Sequence, residues 1–320
     1  MENSDYLINS IIKEIKNKNQ NFHQNNKFDF SGKGLERWKR TVSYALDFFK
    51  ENNTDYCLIK AYDIPYAYMD DIDILIEDKI HLSKLYEKLL NNNFQFTHVP
   101  FNDNMKISAR NEKLNIEIDF YPDAKWGDLR YARTGVISQN KRMNKKHGIE
   151  AKTPKAEHEI YMIASHAYGH VRTNLLEVLN TIKIIIDEKP NFSEIIQLAE
   201  KFHLQNPTLV LFSLANNFMK KFGYSEIDKE YFKKLERISN RRFVQISHKE
   251  FEIDDFPFKY SLSDLVSASL DKFTAKNLDE TANKTDELNG FIKHNRIANA
   301  VYTRFLSSHY GKFIPNKALS

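Results

Sequence analysis

Three aspartates in the run "YMDDIDILIED", Asp70, Asp71 and Asp73, sit among residues that otherwise favour a β-strand. A carboxylate in such a run is costly unless solvent, a cation or a metal receives it. Side chains alternate along a strand, which puts Asp71 and Asp73 on one face and turns Ile72, Ile74 and Ile76 toward the other. The run "LNIEIDFY" repeats the pattern, with Glu117 and Asp119 on one face and Ile116, Ile118 and Phe120 on the opposite one. Side by side, two such strands assemble three or four carboxylates into a hard-oxygen cluster suited to Mg²⁺ or Mn²⁺. Two such ions about 3.5–4 Å apart activate an attacking hydroxyl and stabilise a leaving pyrophosphate. The same alternation also describes an ordinary half-exposed strand, and D-x-D alone does not separate the two.

The surrounding elements have to bring these strands together. "LERWKRTVSYALDFFKENN" predicts a helix with Leu35, Trp38, Val42, Ala45, Leu46 and Phe49 along one side. "DYCLIKAY" and "DIDILIE" predict strands, "KIHLSKLYEKLLNNN" a second helix, and "FQFTHVPF", "NMKISAR" and "KLNIEIDFY" three more strands. Residues 34–150 therefore read as an α+β unit, a small mixed β-sheet with flanking helices. Ahead of it, residues 1–33 hold a helix with apolar Leu7, Ile8, Ile11, Ile12 and Ile15, then the Asn/Gln-rich stretch "NKNQNFHQNNKFDFSGKG", which lacks periodicity and reads as a linker. Residues 151–320 read as a mostly α-helical domain, beginning with "PKAEHEIYMIASHAYGHVRTNLLEVLNTIKIIIDEK" and punctuated by Pro190, Pro207 and Gly223. Within it, "RRFVQISHKEFEI" is ambiguous between strand and helix.

Composition bounds the function. At 320 residues with 41% hydrophobic side chains, the chain can support two modest cores. No apolar run spans a bilayer and the N-terminus is acidic and polar, so a soluble, cytoplasmic protein with no membrane partner is expected. The single cysteine, Cys57, excludes an internal disulfide and a cysteine-based metal site. The net charge of +4 is modest, but Lys141, Arg142, Lys145 and Lys146 cluster in "NKRMNKKHG", and no acidic residue follows Glu287 while Lys293, Arg296, Arg304, Lys312 and Lys317 do. These segments read as a solvated basic surface or as contacts for a phosphate-rich ligand. His158, His166 and His170 share one predicted helical stretch. The i, i+4 pair His166 and His170 suits either a polar helix interface, the cleft, or a transition metal, and H-E-x-x-H is absent. Arg172 nearby is a candidate phosphate contact, or the partner of a surface acid such as Glu177.

The order helix, strand, strand bearing D-x-D, later strand bearing a third acid resembles the DNA polymerase β-like nucleotidyltransferase superfamily over residues 35–122. It looks closer still to a group of nucleotidyltransferase-like proteins with "LIKAY", "DIDIL" and "IDFY" elements ahead of a helical region like "TPKAEHEIYMIASHAYGHVR". The resemblance implies that Asp71, Asp73 and Asp119 are catalytic metal ligands, with Glu117 a further candidate, and that the nucleotide is an NTP such as ATP. Its NMP would pass to a hydroxyl of an unknown acceptor: a small molecule, RNA or a protein. Lys141, Arg142 and Arg172 are candidate phosphate or acceptor contacts. The sequence departs from the superfamily where Gly-Gly or Gly-Ser normally ends the first strand, for it reads Lys60-Ala61-Tyr62, with no glycine between Gly34 and Gly127. Lys60 and Tyr62 then become the candidate nucleotide-binding residues. The alternative is a relative without catalysis that binds nucleotide, RNA or a protein partner.

Overall fold

The computed structural model describes residues 4–69, 71–96, 107–122, 125–126, 129–130, 135–170, 172–261 and 264. Asp70, the C-terminal basic residues and most of "FQFTHVPF" lie outside these residues. The described part is a mixed α+β structure with a small mixed sheet. In chain order its first elements are α1 (Ser4–Lys16), α2 (Gln20–Asn25), α3 (Lys33–Glu51), β1 (Cys57–Ile59), β2 (Ile72–Leu75), α4 (Lys79–Asn91), β3 (Gln95–Phe96), β4 (Ile107–Asn111) and β5 (Ile116–Tyr121). There follow β6 (Lys125–Trp126), β7 (Leu129–Arg130), α5 (Val136–Gln139), β8 (Lys141–Lys146), β9 (Ile149–Pro154), α6 (Ala156–Gly169), β10 (Arg172–Thr173) and α7 (Leu175–Glu188). The last are α8 (Phe192–Lys201), α9 (Gln205–Lys221), α10 (Lys229–Ile238), α11 (Arg241–Ser247) and β11 (Phe258–Lys259).

The five-stranded sheet runs in the order β1-β2-β5-β4-β3. Only β2 and β5 pair in parallel, and the remaining neighbours are antiparallel. The parallel pair is reached by a crossover that contains α4, β3 and β4, as parallel strands require. Helix α3 lays Trp38, Val42, Ala45 and Phe49 into the core, and the Phe49 ring meets the Phe120 ring of β5 edge-on at 6.3 Å. Strand β1 is shorter than "DYCLIKAY" suggests because Lys60 takes φ 56°, a left-handed conformation that ends the strand.

The stretch 18–33, expected to be a linker, is instead built into the fold. Asn19 caps α2 by accepting from the Phe22 amide at 2.9 Å. Asn26, fully buried, donates to the Phe256 carbonyl at 3.3 Å and accepts from the Leu175 amide at 3.1 Å. Amide side chains that satisfy backbone groups far along the chain leave no periodic signal, which is why the stretch reads as unstructured. Helix α1 packs on α7, where Ser4 Oγ donates to Asp187 at 2.8 Å and Lys183 pairs with Asp5 at 3.2 Å.

The helical stretch after Pro154 is two helices, α6 and α7, separated by the short β10, and α8 and α9 pack against them. The ambiguous run from Arg241 forms α11, followed by a single 3-10 turn at Ile253–Asp255. Among the described residues no helix is long and apolar enough to cross a membrane.

Candidate metal centre

The register of the parallel pair sets the site. Asp73 on β2 lies opposite Asp119 on β5, and both strands place these residues on the same face of the sheet. Asp71 precedes β2 by one residue and shares Asp73's parity. One carboxylate oxygen from each of Asp71, Asp73 and Asp119 lies within 4.8 Å of the others. Asp71 and Asp73 are half-buried while Asp119 is completely buried. Glu117, a further candidate ligand, is not in this group: it pairs in register with Arg110, two residues down β5 from Asp119.

Lys60 and Ser108 contact these carboxylates. Lys60, immediately after β1, sends Nζ to Asp73 Oδ1 at 2.9 Å and to the Tyr121 hydroxyl at 3.0 Å, and lies 4.6 Å from the Tyr121 ring centre. On the other side Ser108 of β4, in register with Asp119, donates its hydroxyl to Asp119 Oδ1. Like charges this close, with one of them sealed from solvent, destabilise one another unless further positive charge is supplied. The all-oxygen donor set, three carboxylates open on the Asp71 and Asp73 side, fits a hard divalent cation such as Mg²⁺ or Mn²⁺.

Other sequence candidates fall elsewhere. Tyr62 is 4% exposed, its ring part of the core, so it offers no face for a nucleobase. Its carbonyl contacts His147 Nε2 at 2.6 Å. Lys141, Arg142 and Lys146 lie on β8, which forms a hairpin with β9 closed by His147 (φ 49°) and Gly148 (φ 88°). Two consecutive left-handed residues are the geometry that joins twisted antiparallel strands. In the hairpin Lys141 pairs with Asp55, Arg142 with Glu188, and Lys146 with buried Glu159 at 2.9 Å. Of the four basic residues in this segment, Lys141, Arg142 and Lys146 are thus held by acids of the protein itself, while Lys145 is exposed. Arg172 is half-buried on β10, and its charge reaches Glu177.

The histidines separate. His158 is buried on α6 with Glu194 Oε1 3.7 Å from its Nε2, and burial pushes its pKa down to about 4. His166 is buried and His170 caps the end of α6 half-buried, with their Nε2 atoms 2.9 Å apart. His166 Nδ1 faces Glu177 Oε1 at 3.1 Å, and the other Glu177 oxygen accepts from the Asn174 amide at 2.7 Å. Sequence reasoning named Glu177 only as a surface acid; it is completely buried. Ser108 and Tyr121 were not singled out at all, since each gains its role only from a neighbour across the sheet.

No family model, curated protein or solved structure matches the chain. The donor set and the elements that hold it therefore carry the functional reading.

Proposed function

We propose that the protein is a divalent-metal-dependent nucleotidyltransferase, of the DNA polymerase β-like kind, that moves an NMP from an NTP to an acceptor hydroxyl. The observation that carries this reading is the convergence of Asp71, Asp73 and Asp119 on adjacent parallel strands. These three side chains would hold Mg²⁺ or Mn²⁺, which when bound supplies charge stabilisation to the triphosphate and lowers the pKa of the attacking hydroxyl. In the reaction the acceptor oxygen forms a bond to the α-phosphorus, the bond from that phosphorus to pyrophosphate breaks, and the hydroxyl proton passes to a base. Ser108 fixes the rotamer of Asp119 by binding one of its oxygens. Lys60 stands beside Asp73 where an ammonium can meet a phosphate oxygen.

A second reading, a nucleotide-, RNA- or protein-binding relative without catalysis, is favoured by one observation: the Lys60 ammonium already occupies Asp73, at the position where the superfamily has glycine. Titration calorimetry of each NTP with Mg²⁺ into the wild type and the Asp71→Asn, Asp73→Asn double variant tests both. Metal-dependent binding in the wild type, reduced at least about tenfold in the variant, is the outcome expected of the metal site. Equal binding by the two proteins rejects it.

A further inference from the structure

A cleft of about 1400 Å³ that the three aspartates do not line opens between α2, residues 28–33, the start of α3 and the loop ahead of Asp71. A small-molecule pocket holds about 300–1,000 Å³, so this space suits an extended ligand. Two short segments pair to build one wall. Phe28 bridges Ala67, and the amides of Asp29 and Tyr68 donate to the carbonyls of Tyr66 and Lys27, each at 2.8 Å. That pairing holds the half-buried Phe30 and Tyr66 rings 5.0 Å apart and leaves Tyr68 45% exposed. Tyr66 keeps its place with φ 63°, a left-handed conformation that residues other than glycine enter at a cost.

A second wall is basic. Lys33, Arg37 and Arg40 line the cleft from one face of α3, at i, i+4 and i+7. Lys33 and Arg40 are exposed, and neither forms an ion pair among the described residues. The acids that line the cleft with them are already engaged. Asp29, which feels the Lys33 charge, accepts from the Ser31 hydroxyl and from the amides of Ser31 and Gly34, and Glu36 pairs with Lys39 at 3.3 Å. Lys16 brings a further ammonium, 4.5 Å from the Tyr66 ring centre. The cleft therefore combines held aromatic rings with cations that no acid of the protein neutralises.

We infer that this cleft binds a single-stranded polynucleotide, with Lys33 and Arg40 on its phosphates and the Tyr66 and Tyr68 rings against its bases. Cations in a row along a helix follow a phosphate backbone, and aromatic faces beside them take any unpaired base, because every base has a π-face. Neither wall alone selects this ligand. An acidic peptide meets the cations and leaves the rings unused, while a duplex presents phosphates and hides the faces of its bases. The inference goes beyond the transferase reading, since no step of it passes through the metal centre.

The test is fluorescence anisotropy of a labelled oligo(U) RNA of about 12 nucleotides with the full chain, between about 50 and 200 mM salt. The wild type should bind, and the Lys33→Gln, Arg40→Gln double variant should bind about tenfold more weakly. Its slope of log Kd against log salt should also fall by about 1.4, which is two phosphate contacts at about 0.7 each on a single strand. Tyr66→Leu should weaken binding at least about fivefold with the slope unchanged. Tyr68→Ala, at an exposed position, should do the same without disturbing the paired backbone. Lys145→Gln on the β8–β9 hairpin should bind as the wild type does, and so should Asp73→Asn, whose loss of NTP binding separates this inference from the transferase reading. Oligo(dT) of the same length identifies the sugar: tighter binding of the RNA means that the 2′-hydroxyl is read, and equal binding means that either strand is taken. No binding by the wild type, wild-type affinity and slope in the double variant, or duplex RNA bound as tightly as the single strand overturns the inference.

Discussion

At the scale of single residues, Lys60 is where two demands meet. Its φ of 56° belongs to a region that glycine enters freely and other residues enter at a cost of about 1–2 kcal/mol. The backbone path at the end of β1 is thus one a glycine would fit, yet the residue there supplies an ammonium to Asp73 and Tyr121. Lys60→Gly relieves the backbone and removes the charge, which separates the two roles. Removing a cation from the carboxylates should tighten Mg²⁺ binding. If the ammonium serves the triphosphate, ATP affinity measured by calorimetry in saturating Mg²⁺ should fall about tenfold. An unchanged or higher ATP affinity would assign Lys60 to neutralising the carboxylates alone, as in the non-catalytic reading. Cys57, three residues earlier, takes no part in this chemistry: burial pushes its thiol pKa up and leaves it unreactive.

At the scale of elements, the β8–β9 hairpin shows how a basic segment becomes structural. Strand β9 contacts β1 and α6 at once, and Lys146 of β8 meets Glu159 with both side chains at most 5% exposed. The Glu159 carboxylate also receives the Asn180 side chain at 3.4 Å. A buried pair is costly to break on one side, because the charge left behind has no solvent. Lys146→Met should therefore lower stability by about 3–5 kcal/mol in urea unfolding, and combining it with Glu159→Leu should recover most of the loss. Equal destabilisation by the single and double variants would mean that the aliphatic stem of Lys146, and not its charge, holds the hairpin. The sheet beside it follows the same logic: β4 carries Ser108 to Asp119 only because the two strands pair in that register.

At the scale of the whole molecule, two buried groups set opposite trends with pH. His158 has its pKa depressed to about 4, so between about 6.5 and 4 the unfolded chain binds a proton that the folded chain does not. Its contribution is present above pH 6.5 and is lost as pH falls through that window. Glu177 has its pKa raised from 4.5 to about 7, so the folded chain holds the extra proton in that interval. Its contribution is present below 4.5 and is lost as pH rises toward 7. Each is on the order of 3 kcal/mol at its limit. Urea unfolding at pH 4.5, 6 and 7.5 should show His158→Leu losing less stability than wild type on acidification, and Glu177→Gln losing less on going from pH 4.5 to 7.5. Parallel curves for wild type and variants would show that neither group is coupled to folding.

What the sequence determined by itself is what neighbours along the chain can encode. The parity of Asp71 with Asp73 and of Glu117 with Asp119, the apolar face of α3, the helix α1 and the mixed α+β character were all legible from spacing, because a strand alternates every two residues and a helix turns every 3.6. Only the tertiary structure decided which carboxylates meet. The parallel register of β2 and β5 sets Asp119 beside Asp73, and it joins strands separated in sequence by a helix and two strands. The same holds for the role of Asn26 in a stretch that reads as a linker, for the acids that hold Lys141, Arg142 and Lys146, and for the contact of Glu177 with His166. Each joins groups from separate elements, and periodicity within one element carries no information about the partner that packing will bring to it.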